Sequence, residues 1–562
     1  MPDIFYVLLR RMRTPLVVLI LMYAVSVLGF TLIPGMDAEG KPWHMSFFHA
    51  LYLVSYTATT IGFGEIPYAF TDGQRLWMMF VVHLTVIGWL YSIGSLLTVL
   101  QDPAFRKLRV EYVFQRSVKH LRTPFYLVCG YGDTGGILIK ALADEGIKAV
   151  VVDKDENRIN ELELSDYIRR PLGLLGDAAK PAVLEMAGIT NSYCIGVIAL
   201  TDSDQTNLMV ALTAHLLNPD LRVLARVESP ELEANIRSFG TNEVINPFET
   251  FAGRLAMAIH SPGMYTLFTW MTGVPHEPLR EPLFPGKGLW IVAGYGRFGK
   301  ALHSRLQGAG IPVQVIEPDP QRAQAPQGTL TGLGTEAPTL LQAGLRKAVG
   351  IVAGTSNDAD NLSILMTAKE LRPDIFRVAR QNQRDNGIIF DKADFNLIMK
   401  RGDVIAHKIF ALLRTPLISD FLDAIRGNDD DWANLLVSRI LGVTTDEVPY
   451  LWEIKINKAR TPALYKSCLM QTVTLHHILC DPREREHLLP AIPLLLKRKG
   501  KVTVLPETDT HLEVSDRVLM CASYPTSHDM QWATQNENVL HYLLTGQETS
   551  GGDLWRRILQ NR

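Results

Sequence analysis

The sequence predicts two membrane-spanning α-helices with a short re-entrant helix between them, followed by two α/β doubly wound domains of Rossmann type and a small C-terminal α+β lobe. Three observations predict this arrangement. Two long apolar runs occur within the first hundred residues, a glycine-rich turn occurs twice with the same flanking pattern, and a β-rich pattern follows the second copy. A chain of 562 residues is long enough for three or four domains.

The two apolar runs, residues 14–33 and 76–100, contain no Asp, Glu, Lys or Arg, and each is long enough to cross a bilayer as a helix. Cationic residues lie outside the pair: Arg10, Arg11, Arg13, Arg106, Lys107 and Arg109. The positive-inside rule therefore places both ends in the cytoplasm and residues 34–75 outside. A signal peptide is the alternative for the first run, but the cations after the second run favour a helix that is retained.

Between these runs, residues 43–60 are apolar but too short to span a bilayer, which predicts a re-entrant helix. The stretch "TIGFG" follows it directly, and non-helical backbone survives at membrane depth only beside protein or water. Gly62 and Gly64 permit backbone angles that other residues avoid, so successive carbonyls can face one side and replace the hydration shell of a potassium ion. The carbonyls concerned belong to Thr60, Ile61, Gly62 and Phe63. The alternative is an extracellular turn.

Residues Thr57, Thr60, Gly62 and Gly64 resemble the signature of the potassium-channel pore family, a TxxTxGxG-type run that ends in TVGYGD. Glu65 stands where the family usually has Asp, so the sequence does not show which hydrogen bonds form at the outer mouth of the filter. The resemblance implies a homotetramer around one pore. It also implies that Thr60, Ile61, Gly62, Phe63 and Gly64 form the selectivity filter. The first four of these residues would bind K⁺. The sequence shows no arginine-rich helix to sense voltage, so the pore is of the minimal type.

The second apolar run contains Gly88, for which the resemblance implies a hinge in the inner helix. Close helix packing is the alternative, because membrane helices use glycine freely where they touch. Ile93 and Leu97 lie four residues apart and therefore share one helix face. We expect them to meet their copies at a cytoplasmic constriction.

The rest of the chain contains a repeat. The glycines of "YLVCGYGDTGG" recur in "LWIVAGYGRFG" at an offset of 164, and Asp153 recurs as Glu317 at the same offset. Farther on, Asn207 and Arg226 recur as Asn361 and Arg380 at an offset of 154. A deletion of about ten residues accounts for the change in offset, so the chain carries two copies of one fold.

Each GxGxxG turn follows an apolar strand, opens a helix and is followed by an acid at the end of the next predicted strand. In that context the glycines let the backbone approach a pyrophosphate at the helix N-terminus, while the acid binds a ribose. The alternative is a turn kept for packing after the ligand was lost. The candidate nucleotide-binding residues are Gly130, Gly132, Asp133, Gly135, Asp153, Asp177 and Thr201 in the first copy and Gly294, Gly296, Arg297, Phe298, Gly299, Glu317, Thr335 and Thr355 in the second.

The two copies differ in the charge at the turn. Arg297 can neutralise a phosphate in the second copy, whereas Asp133 holds the equivalent place in the first and repels phosphate. The second site is therefore the one expected to hold a diphosphate.

Both copies resemble the RCK (also called KTN or TrkA-N-like) regulatory domains of bacterial potassium channels and transporters, over residues 124–262 and 288–416. "INPFETFAGRLAMAIHSPGM" and "IMKRGDVIAHKIFALLRTPL" resemble the helices that cross over and pair such domains. The expected domains are a pore domain 1–102 (pore helix and filter 44–65), a linker 103–123, a first RCK domain 124–287, a second RCK N-lobe 288–425, a C-terminal lobe 426–524 and a tail 525–562.

The resemblance implies a ring of eight RCK domains whose regulatory ligand is NAD or ADP/ATP. Some members of the family also bind Ca²⁺, for which the weak candidates here are Asp429, Asp430 and Asp431 in "GNDDDW". We therefore expect a ligand-gated potassium channel, and not an enzyme, in the cell (inner) membrane with both termini cytoplasmic.

Composition excludes one class of partner and leaves two alternative functions. A net charge of -2 argues against nucleic-acid binding. Five scattered cysteines without a CxxC pair indicate reduced thiols. A membrane-tethered NAD-dependent oxidoreductase is one alternative, although no substrate domain with a catalytic set follows either copy. A regulatory subunit of a potassium uptake system is the other, although only one pore loop occurs.

Overall fold

The computed structural model describes residues 4–239, 241, 243–274, 277–444 and 446–548, apart from the side chains of residues 4–9, 104 and 401. The chain divides into two compact units, residues 1–120 and 121–562. The first unit is helical and the second contains three β-sheets.

Two long helices form the frame of the first unit. The elements, in order, are α1 (Ile4–Leu32), β1 (Gly35–Met36), β2 (Pro42–Trp43), α2 (Phe47–Ala58), α3 (Asp72–Gln101) and α4 (Pro103–Lys119). Within α1 the stretch Arg10–Leu32, and α3 as a whole, are long and apolar enough to cross a bilayer. Both long helices begin before the predicted boundaries, because Thr71 caps α3 and the arginines ahead of the first apolar run are themselves helical.

The short helix α2 lies against both long helices. Its buried side chains, including Leu53 and Val54, pack with Val27 and Phe30 of α1 and with Val81 of α3. Ser46 caps its N-terminus by accepting a hydrogen bond from the backbone N–H of His49. At the opposite end of the unit, Arg11 forms an ion pair with Asp102, which links the start of α1 to the end of α3. The expected linker after residue 102 is largely the helix α4.

The first doubly wound domain has a six-stranded parallel sheet in the order β5-β4-β3-β6-β7-β8, which is the order of a dinucleotide-binding fold. Its elements are β3 (Phe125–Cys129), α5 (Asp133–Asp144), β4 (Lys148–Asp153), α6 (Glu156–Leu164), β5 (Leu172–Leu175), α7 (Pro181–Met186), β6 (Cys194–Ala199), α8 (Asp204–Leu217), β7 (Arg222–Arg226), α9 (Pro230–Ser238) and β8 (Glu243–Ile245), followed by α10 (Pro247–His260) and α11 (Pro262–Met271).

The second domain repeats this topology, with its six parallel strands in the order β11-β10-β9-β12-β13-β14. Its elements are β9 (Trp290–Ala293), α12 (Arg297–Gly308), β10 (Val313–Glu317), α13 (Pro320–Ala323), β11 (Leu330–Thr331), α14 (Ala337–Gln342), β12 (Gly350–Ala353), α15 (Asp358–Leu371), β13 (Phe376–Gln381), a 3₁₀ helix (Arg384–Asn386), α16 (Gly387–Lys392), β14 (Leu397–Lys400), α17 (Arg401–Arg414) and α18 (Leu417–Ala424).

The two domains exchange helices. Helix α10, which follows the first sheet, packs against α12 of the second domain, where Phe248 and Phe251 surround Phe298. In the reverse direction α17 packs against α5 of the first domain, so that Ile405 and Ile409 share a core with α5. Each domain therefore completes its apolar core with a helix from the other.

The last part of the chain is an α+β lobe around a four-stranded antiparallel sheet in the order β15-β18-β16-β17. Its elements are α19 (Asp430–Leu441), β15 (Tyr450–Lys455), α20 (Pro462–Met470), α21 (Leu475–Leu479), β16 (Ala491–Arg498), β17 (Lys501–Val504), β18 (Arg517–Ala522), α22 (Tyr524–Gln535) and α23 (Glu537–Thr545). The expected tail is part of this lobe as far as Thr545, because Met530 and Leu540 lie in its core. Most of "TGQETSGGD" lies outside the described residues.

Candidate functional site

The backbone after α2 alternates in conformation at every second residue. Thr60, Gly62 and Gly64 have φ of +58°, +64° and +74°, whereas the intervening Ile61 and Phe63 do not have positive φ. The N–H groups of Ile61 and Gly62 donate to the carbonyl of Tyr56 at 3.0 and 3.3 Å, so the segment starts directly from the end of α2. A β-branched residue such as Thr60 rarely has positive φ. An alternation of this kind turns successive carbonyl oxygens towards one side.

Two tyrosine hydroxyls of α2 bond the outer end of this segment. Tyr52 donates to the Glu65 carboxylate at 3.0 Å, and Tyr56 donates to the Glu65 carbonyl at 3.1 Å. The Tyr56 ring also meets the edge of the Phe63 ring, with centroids 6.1 Å apart. The side chain of Glu65 therefore reaches a hydrogen-bond donor within the same chain, which answers the question that the sequence left open about hydrogen bonds at this position.

In the inner helix, Gly88 is buried against α1. A Cβ built on Gly88 would overlap the sulfur of Met22, so the residue allows the two helices to approach closely. This contact favours the packing interpretation, and α3 continues without interruption from Asp72 to Gln101. Ile93 and Leu97 are 41% and 50% exposed in the single chain.

The two glycine turns have the same internal geometry. Gly132 and Gly296 cap α5 and α12 without any side-chain hydrogen bond, which leaves backbone N–H groups free at both helix starts. Helix and strand approach so closely that a Cβ on Gly135 would overlap the carbonyl oxygen of Gly130. A Cβ on the equivalent Gly299 would overlap the carbonyl oxygen of Gly294 in the same way.

The acids at the strand ends lie beside these turns. Asp153 accepts hydrogen bonds from the N–H groups of Tyr131 at 2.6 Å and Asp155 at 2.9 Å. Glu317 accepts from the N–H of Tyr295 at 2.7 Å in the same way. The sequence therefore correctly placed each acid next to its glycine turn.

The threonines that follow the fourth strand of each copy, Thr201 and Thr355, belong to a repeated loop. The N–H and hydroxyl of Thr201 donate to the side-chain oxygen of Asn207, and those of Thr355 donate to Asn361. The two asparagines are fully buried, and their amide groups donate onward to the carbonyls of Arg226 and Arg380. Hydrogen bonds within the loop therefore occupy Thr201 and Thr355.

The remaining predicted residues are Asp177, Thr335 and Phe298. Asp177 accepts a hydrogen bond from the N–H of Ala179 in an exposed turn, and the carbonyl of Thr335 accepts one from Thr367. Phe298 is fully buried against Phe248 and Phe251. Its side chain forms part of the interface between the domains, so a ligand at the second turn could contact only the backbone of Phe298.

Arg297 does not extend freely into the second turn. Its guanidinium is 3.0 Å from the carboxylate of Glu228 in the first domain. A row of ion pairs continues from there to Asp153 beside the first turn: Glu228–Arg226 at 2.5 Å, Arg226–Asp202 at 3.2 Å, Asp202–Arg158 at 3.9 Å and Arg158–Asp153 at 3.6 Å. The two glycine turns are thus joined by charged side chains, because the helix exchange brings the domains together.

A cavity of about 340 Å³ lies at the first glycine turn. One wall is the first domain and the other is the second domain. The lining residues are Gly132, Asp133, Thr134, Ile137, Arg158, Leu200, Asp202, Arg226, Gln381, Asn382, Gln383, Arg384, Gly387, Lys400, Gly402 and Asp403. The sequence analysis had favoured the second turn for a diphosphate, and it had named only Gly132 and Asp133 among these lining residues. Those beyond Arg226 belong to the other copy of the repeat.

Two of the three acids proposed for calcium serve helix ends, and the third, Asp431, is exposed. Asp429 caps α19 by accepting from the N–H of Trp432 at 2.9 Å, and Asp430 accepts from the N–H groups of Gly263 and Met264 at the start of α11. Within the part of the chain that the structure describes, no group of three or more His, Cys, Asp or Glu side chains could hold a metal ion. The geometry therefore offers no support for a calcium site here.

Comparison with protein families divides the chain as the geometry does. Residues 17–102 match the ion channel family, and residues 126–247 and 290–400 each match the TrkA-N domain. The spacing of the glycine turns thus corresponds to two copies of one known domain.

Among known proteins, the chain is 27% identical over 269 residues to "Probable potassium channel protein 2" of Methanocaldococcus jannaschii, covering 48% of this chain and 73% of that protein. It is 26% identical over 242 residues to "Potassium channel protein 1" of the same organism, covering 42% and 67%. A "Trk system potassium uptake protein TrkA homolog" of Pyrococcus horikoshii is 26% identical over 193 residues, covering 31% and 82%.

Among solved structures, "GsuK Channel" is similar with a TM-score of 0.49 and 17% identity, covering 97% of this chain and all of that one. "GsuK channel bound to NAD" is similar with a TM-score of 0.47 and 17% identity, covering 94% and 98%. "Crystal structure of the GsuK bound to ADP" is similar with a TM-score of 0.44 and 21% identity, covering 74% of this chain and all of that one.

Proposed function

We propose that this chain, which joins an ion-channel domain to two TrkA-N domains and is homologous to archaeal potassium channel proteins, is the subunit of a potassium-selective channel regulated by intracellular nucleotides. The single observation that carries the proposal is the alternation of positive φ at Thr60, Gly62 and Gly64. It occurs directly after a buried half-length helix between two membrane-length helices. Four copies of the segment would surround one ion path with the carbonyls of Thr60, Ile61, Gly62 and Phe63.

The pore and the cytoplasmic domains have separate tasks in this proposal. The channel is a homotetramer in the cell membrane with both termini cytoplasmic, and the inner helices meet at Ile93 and Leu97. The filter and the glycine turns lie on one chain, which distinguishes it from an uptake protein that carries TrkA-N domains alone. The relatives are potassium channel and potassium uptake proteins, so transport fits them better than hydride transfer.

The regulatory ligand is NAD or an adenine nucleotide. Free N–H groups at the starts of α5 and α12 suit phosphates, because the positive end of each helix dipole lies there. The acids Asp153 and Glu317, each beside its glycine turn, suit a ribose. A ligand that prefers one arrangement of the paired domains shifts the pore equilibrium by its difference in affinity.

Flux through proteoliposomes that contain the full-length protein tests the function. We expect potassium efflux to exceed sodium efflux by a large factor and to change when NAD or ADP is present on the cytoplasmic side. Equal potassium and sodium flux would contradict the filter assignment. Selective flux that neither nucleotide alters would contradict the regulation while leaving the pore assignment intact.

A further inference from the structure

The junction between α3 and α4 lies at one end of the two membrane-length helices. Asp102 separates α3 from α4 and has an extended backbone, with φ of −60° and ψ of 122°, and Pro103 is the first residue of α4. Since proline lacks an N–H group and disfavours helical backbone in the residue before it, α3 and α4 do not form one continuous helix. Asp102 pairs with Arg11, which lies near the end of the other apolar span. Helix α4 therefore begins at the level where the bilayer is expected to end.

One side of α4 consists of exposed arginine and valine residues. Five exposed residues recur at the spacing i, i+3, i+4, i+7 and i+10, which places them on one side of the helix. This arginine–valine face consists of Arg106, Arg109, Val110, Val113 and Arg116. Val110 and Val113 are 62% and 55% exposed, whereas Val118 on the other side of the helix is buried. The only acid in the sequence of α4, Glu111, also lies on the other side.

The arginines of this face have no acidic partner in the part of the chain that the structure describes. None of the three forms an ion pair or a side-chain hydrogen bond there. Arg10 and Arg13 of α1 are exposed as well, and they lie close in sequence to Arg11, which contacts the junction. The positive charge near the junction therefore exceeds the negative charge that the chain supplies there.

Exposed valines beside unpaired arginines are typical of a helix that lies in the membrane interface. Valine side chains are stabilised at the boundary of the acyl chains, and arginine side chains extend their guanidinium groups to the phosphates. A protein surface that covered the same face would bury the arginines, which is unfavourable unless acids oppose them. The equivalent face of a second copy is itself positive, so the charge favours phospholipid over self-association.

We propose that α4 lies on the bilayer surface and that its arginine–valine face binds anionic phospholipids. The headgroup phosphates accept hydrogen bonds from Arg106 and Arg109, while Val110 and Val113 enter the boundary of the acyl chains. This inference rests on the proposed placement of the first unit in the cell membrane, and it adds the class of lipid that the protein selects there. Because only Asp102 separates α4 from the inner helix, the lipid acts on the end of the helix that contains the expected constriction.

Quenching of a bimane label by brominated lipid tests where the arginine–valine face lies. The label is attached to Val113→Cys in the full-length protein, which is reconstituted in brominated phosphatidylcholine with increasing fractions of brominated phosphatidylglycerol. Labelled unmutated protein supplies the background from the native cysteines. We expect phosphatidylglycerol to increase the quenching at residue 113. The same label on Lys119→Cys, an exposed position on another side of α4, should respond much less.

Charge variants of the labelled protein test which side chains select the lipid. Arg106→Gln/Arg109→Gln should weaken the apparent affinity of the labelled face for phosphatidylglycerol by about twentyfold, at roughly fivefold for each cation at an anionic surface. Lys107→Gln/Lys119→Gln removes the same charge from other sides of α4 and should retain the affinity. Equal losses in the two double variants would contradict recognition by the arginine–valine face.

Potassium flux in the same vesicles separates this inference from the proposed function. Selective flux with equal quenching at residues 113 and 119, or with quenching that phosphatidylglycerol does not change, would refute the lipid surface and leave the pore assignment intact. Quenching that depends on phosphatidylglycerol without selective flux would support the lipid surface and contradict the pore assignment.

Discussion

Replacing Gly62 with alanine should abolish potassium selectivity, and the structure supplies a matched control. A Cβ on Gly62 would meet no atom within 4 Å, so the cost within the subunit comes only from the backbone, which has φ of +64°. A left-handed alanine is unfavourable by about 1–2 kcal/mol, which amounts to roughly 4–8 kcal/mol over four subunits. Gly40, in the turn between β1 and β2, has φ of +77° and equally open space, so Gly40→Ala imposes the same strain outside the filter.

The assay compares the two variants with the unmutated protein in proteoliposomes, after size-exclusion chromatography has established that each assembles. We expect Gly40→Ala to keep the ratio of potassium to sodium flux. Gly62→Ala should lose this flux ratio, because relief of the backbone strain rotates the peptide groups whose carbonyls bind the ion. If the two variants show the same flux ratio, residues 60–64 do not form the selectivity filter.

Three other changes have defined outcomes. Leu97→Asp should raise the resting open probability in single-channel recordings, because a charged side chain hydrates an apolar constriction; unchanged activity would place the gate elsewhere. Glu317→Ala should reduce the preference for NAD over NADP in competition binding, since the carboxylate repels a 2′-phosphate, and an unmutated protein that binds both equally would contradict this. His407→Gln should reduce the fall in melting temperature that acid causes. Burial, together with Arg280 and Arg254, lowers the pKa of His407 from 6.5 to about 4. Below pH 6.5 the unfolded chain takes up a proton at His407 that the folded chain does not. The free energy of unfolding therefore falls by about 2 kcal/mol on going from pH 7 to pH 5. Parallel pH profiles of both proteins would refute the assignment.

Local patterns predicted the fold class because each of its signals lies within a short stretch of chain. The glycine turns, the acid at the end of the strand after each turn and the apolar runs all report on neighbouring residues. The ring contacts of Phe298 and the ion pair of Arg297 depend instead on α10 and Glu228, which come earlier in the chain and belong to the other copy of the repeat. Nothing in the local pattern at "GYGRFG" distinguishes a phosphate-binding arginine from one that pairs with an acid.

The cavity between the two domains could not be predicted for the same reason, because its lining residues are even farther apart in the sequence. Gly132 and Gln381 line one cavity although they belong to different copies of the repeat. One signal was present: the two crossover segments implied that the copies pair, and the repeat offset maps the strand end at Arg226 onto Arg380.

The exchange of α10 and α17 has a consequence for biosynthesis. Helix α5 packs against α17, which the ribosome makes only after the whole of the second sheet. At the usual ~5–20 residues per second, the roughly 260 residues between these helices keep the apolar face of α5 waiting about 10–50 s for its partner. The first domain therefore cannot reach its final packing before the second has been synthesised. The two copies should fold as one cooperative event, and a nascent chain that stops between them presents an apolar surface to chaperones.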